Sequence, residues 1–140
     1  MRADRRPRIL QVVPDAPGGM RTSMGALLGS RLVRDFELEF VVTHRGTGAA
    51  RRVATYCAAL ARIAIWTLRG RGRVVHVHGT VRGSMYRKVG CVLVARLLRR
   101  RVIFHLHSGP GDVEFFHSRL GRFQLAFLRS SLDWVAENTP

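Results

Sequence analysis

Four short runs of β-branched and aliphatic residues recur along the chain, at Ile9 to Val13, Leu38 to Thr43, Val74 to His78 and Val102 to His107. Each is about the length of one strand, and each is nearly continuous in its apolar character, as a strand covered on both faces requires. Between and after them lie segments long enough for helices, over Met20 to Arg34, Ala49 to Arg69, Ser84 to Arg100 and Val113 to Ser131. Strands that alternate with helices of this length cannot pair as hairpins. They specify right-handed βαβ units and a parallel sheet with helices on both faces.

The boundary residues agree with an α/β, Rossmann-like domain. Gly18-Gly19 and Gly79 follow strands, Ser84 is placed to cap a helix, and Arg99-Arg100-Arg101 closes a helix just before the next strand. Leu132 to Ala136 reads as the start of a fifth strand, and Pro140 comes where such a sheet is expected to continue. The 140 residues suit one core. Residues 1–8 are expected to be a basic, flexible amino terminus and residues 9–140 a single domain.

Cys57 and Cys91 lie far apart in apolar helical segments, without metal or redox spacing, and read as small buried hydrophobes in a reducing cytoplasm. The run Ile9 to Val13 is too short for the core of a signal peptide, so a cytoplasmic protein is expected. The segment Val53 to Leu68 carries no charge except Arg62. A membrane span needs roughly 20 apolar residues, and an arginine near its centre costs about 2.5 to 3.5 kcal/mol. A helix covering the sheet is the preferred reading, with an interfacial helix second.

Charge narrows the partners. Lys plus Arg number 24 against 9 Asp plus Glu, a formal net charge of +15, and nearly all the cations are arginine. Guanidinium forms bidentate bonds to phosphate oxygens, so phosphate backbones, anionic lipid head groups and sugar phosphates all fit. An arginine bias inherited from a GC-rich genome carries equal weight.

In an open parallel sheet, ligands bind beyond the carboxyl ends of the strands, and three such places hold suggestive residues. At Pro14 to Met20, Gly18 and Gly19 let the backbone approach a ligand, and the helix that follows aims free N–H groups at an anion; a plain tight turn is the alternative. At His76-Val77-His78-Gly79 and His105-Leu106-His107-Ser108, period-two spacing puts each histidine pair on one face. Such pairs can share a zinc ion, but His76 and His105 are read as satisfied core histidines and no metal or cofactor is assigned. His78 and His107, nearer the strand ends, are the functional candidates. Arg82, Arg87 and Lys88 surround the next helix start and could grip a phosphorylated acceptor, or be a solvated first turn. Asp112 and Glu114 are candidates for acid, base or sugar-hydroxyl contacts.

In order and position, Ile9 to Val13 with Gly18-Gly19, Val75-His76-Val77-His78-Gly79, and Ile103-Phe104-His105-Leu106-His107-Ser108 resemble the amino-terminal, acceptor-side domain of family 4-like retaining glycosyltransferases of the GT-B fold. The resemblance covers nearly the whole chain. It implies that Gly18 and Gly19 approach the donor diphosphate and that His107 sits beside the reacting sugar, hydrogen-bonding it and stabilising the transition state without acting as nucleophile. His78, Arg82, Arg87, Lys88 and Ser108 become substrate contacts. The implied ligands are a nucleotide sugar and a glycan or lipid-linked acceptor, with Arg51, Arg52, Arg62 and Arg69 touching the inner membrane face.

The carboxyl-terminal donor domain of that family is absent from these residues, so the chain alone is expected to show little or no transfer and to need a partner domain or subunit. The alternatives are a non-catalytic basic module for nucleic acid or another phosphorylated ligand, and, ranked lower, an oxidoreductase, whose Gly-x-Gly-x-x-Gly fingerprint is missing.

Overall fold

The computed structural model describes residues 6–14, 19–45, 48–70, 72–81, 83–107, 109–131 and 134–138. Strands β1 (Arg8–Val13), β2 (Glu37–Val42), β3 (Val74–Gly79), β4 (Arg101–His107) and β5 (Trp134–Asn138) pair in parallel throughout, in the order β2-β1-β3-β4-β5. The predicted α/β parallel sheet is therefore present, with each of the first four strands within a residue of its expected limits.

Helices α1 (Gly19–Leu28) and α2 (Leu32–Asp35) connect β1 to β2. The chain then crosses back over β1 through α3 (Ala49–Leu68) to reach β3, and continues through α4 (Gly83–Leu97), then through α5 (Pro110–His117) and α6 (Arg119–Ser131). Because the direction of travel reverses, right-handed crossovers put the first connection on one face and the later ones on the other. The reversal falls between β1 and β3, the switch point at whose carboxyl edge such sheets take ligands.

Side-chain alternation builds the core on the α3–α4 face. Leu10, Val12, Val41, Val75, Val77, Val102, Phe104 and Leu106 project from the strands and meet Ala59, Ile63, Trp66, Met85, Val92 and Leu128. Each fully buried large aliphatic or aromatic side chain contributes about 1.5–3 kcal/mol. At the β2 edge the Trp66 indole donates to Glu39 at 2.9 Å, and Arg8 pairs with Glu37, its register partner, at 2.7 Å.

Local chemistry corrects several expectations. The first helix divides after Leu28, where the Ser30 hydroxyl donates to the Leu27 carbonyl and accepts from the Leu32 N–H. The last divides at Ser118, whose hydroxyl donates to the Phe115 carbonyl and accepts from the Gly121 N–H, ending α5 and starting α6. Ser84 is the second residue of α4, not its cap. Cys57 is exposed, because α3 turns that face away from the sheet, while Cys91 is buried as expected. Among the described residues no helix is long and apolar enough to cross a membrane.

The α5–α6 junction depends on a missing Cβ. One added at Gly121 would sit on the Phe115 carbonyl, whereas one at Gly111 would meet nothing within 4 Å. Gly121→Ala should therefore lose about 1–3 kcal/mol and Gly111→Ala should be neutral or gain up to about 1 kcal/mol, as read by denaturant unfolding of the two variants side by side.

Candidate functional site

The strand face opposite the core carries a polar line in place of an apolar one. Gln11 of β1, His76 and His78 of β3, and His105 and His107 of β4 alternate with core residues and so share this face. The register sets Gln11 opposite His76 and His78 opposite His105. The hydrogen bonds run diagonally: Gln11 Oε1 meets His78 Nε2 at 2.8 Å, and His78 Nδ1 meets His107 Nε2 at 3.0 Å. Each step advances two residues toward the carboxyl edge, and the line ends on His107, the last residue of β4.

Tautomers follow from that geometry. The Gln11 carbonyl oxygen only accepts, so His78 Nε2 carries the proton. Burial, with His76, His107, His105 and Lys88 nearby, pushes His78 down to about 2, so its ring is neutral and Nδ1 is a bare acceptor. His107 must then donate from Nε2. Burial and the adjacent His105 push His107 down to about 4, which leaves its Nδ1 as a lone pair at the sheet edge. The line thus leaves a hydrogen-bond acceptor on the last residue of β4.

His76 is likewise lowered to about 4, by burial and then by His105 and His107, and burial lowers His105. The four rings form one cluster, with centroid separations of 4.1 Å for His76 and His78 and 4.2 Å for His105 and His107. His105 is not the satisfied core histidine expected, because its Nε2 is buried without a hydrogen-bond partner among the described residues.

A second polar feature lies on the core side of the same edge. Lys88 is 1% exposed, and its ammonium donates to Thr43 Oγ1 at 2.6 Å. Thr43 bonds the Val13 carbonyl through both its N–H and its hydroxyl, so the cation rests at the carboxyl ends of β1 and β2. Burial pushes Lys88 down to about 8, the neighbouring Cys91 opposing and Arg87 adding to the effect.

The folded value lies below the unfolded one, so the native state resists protonation. Stability rises as pH climbs from about 8 to 10.5 and is lowest, by about 3 kcal/mol, where the lysine is charged in both states. Lys88→Met should accordingly be more stable at pH 7 by about 1–3 kcal/mol, with the gain vanishing near pH 10.5 in paired denaturant titrations.

The structure brings His78 and His107 together and puts Lys88 at the same edge. Lys88 faces inward while Arg87, the next residue on α4, is half-buried, so the two do not form one cationic grip. Gly19 opens α1; Gly18, Arg82 and Ser108 lie outside the described residues. Asp112 accepts the Gly109 N–H at 2.9 Å and caps α5, and Glu114 is exposed on that helix. Arg51, Arg52, Arg62 and Arg69 are all exposed along α3 and at its end. Arg51, Arg62 and Arg69 fall near whole numbers of turns apart, on one side. Residue type and spacing do not single out Gln11 or Thr43. A glutamine centred in Ile9 to Val13 was the available signal, since a buried amide needs a partner.

No family model matches the sequence, and no curated protein matches it.

Proposed function

We propose that the chain is the acceptor-side half of a nucleotide-sugar-dependent glycosyltransferase, completed by a second α/β domain that holds the donor nucleotide. The carrying observation is the hydrogen-bonded line from Gln11 through His78 to His107, which fixes an acceptor nitrogen at the carboxyl edge of the sheet. A neutral imidazole in that orientation accepts a sugar hydroxyl and locates the sugar without attacking it. Preorganised polar groups of this sort act where charge develops, and cost little reorganisation during the reaction.

The adjoining groups suit a diphosphate leaving group. The α1 amino terminus begins at Gly19, a kind of position at which helices favour an anion, and the buried Lys88 cation adds positive potential from beneath β1 and β2. Departure of the nucleotide diphosphate, and formation of the new glycosidic bond to a glycan or lipid-linked hydroxyl, would then take place in a cleft between two domains. The one-sided row of Arg51, Arg62 and Arg69, beside exposed Ile65 and Leu68, is suited to a membrane face bearing such an acceptor. Co-expression with a donor-side α/β domain tests this reading: transfer from a nucleotide sugar is expected, and its absence with every donor tried would reject it.

One observation favours the basic binding module instead. Arg6, Arg8, Arg69 and Arg73 line a cleft of about 640 Å³ at the opposite, amino edge of the sheet. If this cleft is the functional site, affinity for duplex DNA should fall steeply with salt, and Arg69→Glu with Arg73→Glu should remove most of it while His107→Ala changes nothing.

A further inference from the structure

We propose that His76, His78 and His105 form a binding site for one divalent d-block cation of the zinc type, with its fourth position open. One ring nitrogen from each residue lies within 4.8 Å of the others. Two nitrogens bound to the same zinc at about 2.0–2.1 Å stand about 3.3 Å apart. The set therefore closes by ring rotation, without moving the paired backbones of β3 and β4.

Three further features suit these residues to the role. Among the described residues His105 Nε2 is buried with no partner, an electron pair or proton left unused in a place where either is costly. The Gln11 carbonyl holds the Nε2 proton of His78 and so turns the bare Nδ1 into the cluster; a ligating histidine ordinarily donates its other N–H to an oxygen in this manner. All three rings are neutral around pH 7, the form in which imidazole binds metal. A set of imidazoles alone selects zinc, copper, nickel or cobalt over magnesium or calcium.

The cation and His107 compete for one lone pair. His78 Nδ1 accepts from His107 in the metal-free structure, so metal occupancy releases His107. The site stands on its own geometry and does not depend on the identity of the substrate at the sheet edge.

Titration of the tag-free chain with cobalt(II), followed by its visible absorption, tests the proposal. The expected result is saturable binding of one cobalt per chain with an intense tetrahedral spectrum, displaced by zinc. His105→Ala and His76→Ala should each weaken binding more than about tenfold, while His107→Ala and the exposed His117→Ala retain it. Metal-free melting curves show whether each variant is folded, and His105→Gln serves if His105→Ala is not. Absence of one-to-one binding, an affinity unchanged in both folded His105→Ala and His76→Ala, or an equal loss in His117→Ala would overturn it.

Discussion

Replacing His107 by alanine is expected to lower the transfer rate of the assembled two-domain enzyme about 10²–10³-fold, the usual cost of removing one preorganised polar group from a transition-state site. The residue ends β4, half-exposed and opposite the core face, so its loss should leave the fold intact. The effect should fall mainly on kcat if the hydrogen bond strengthens as the sugar gains positive character, and on KM if it only binds the ground state. Gln11→Ala should give a smaller loss by the same route. Without the Gln11 oxygen nothing fixes the His78 proton on Nε2, and His107 Nε2 loses its defined acceptor. Steady-state kinetics on both variants, alongside His117→Ala, separate this ordered effect from a general one.

Acid should destabilise the metal-free protein strongly between pH 6.5 and 4. His76 and His107 are lowered to about 4 and His78 to about 2, each chiefly by burial. In that window the unfolded chain binds protons that the native cluster refuses. Stability is therefore complete above pH 6.5 and is lost as pH falls toward the folded values. Each proton of difference contributes at most about 1.4 kcal/mol per pH unit. His78, only 3% exposed, should carry the largest share, and the half-exposed rings less because solvent screens them. The formal charge of +15 sharpens the transition, since every added proton increases self-repulsion. Urea midpoints from pH 7.5 to 4 check this; a flat profile, or a steep one unchanged in His78→Gln, would contradict it.

The strands were legible because their apolar runs are bounded by glycine, proline and charge, and the histidine pairs were legible as one-faced because side chains alternate along a strand. Lateral register was not. Nothing in the sequence states that His78 lies opposite His105 or that Gln11 reaches diagonally to His78, since a parallel pairing depends on how distant segments dock. Adjacency in the chain groups Lys88 with Arg87 as one cationic cluster, yet successive helical residues point about 100° apart and the helix buries one of them. The apolar surroundings of Cys57 point to burial, but α3 carries more apolar residues than the sheet can cover, leaving Cys57, Val53, Ile65 and Leu68 exposed. Helix breaks at Ser30 and Ser118 came from side-chain capping that periodicity does not register.

The most direct test of the central claim is a long-range ¹H–¹⁵N spectrum of the histidine rings in the metal-free, assembled two-domain enzyme, recorded with and without a nucleotide sugar at millimolar concentration. The account predicts that His78 and His107 both appear as neutral rings protonated on Nε2. It also predicts that the His107 Nδ1 signal moves on adding the sugar nucleotide while that of the exposed His117 stays fixed. A His107 ring protonated on Nδ1, or ring signals that no nucleotide sugar perturbs, would contradict it.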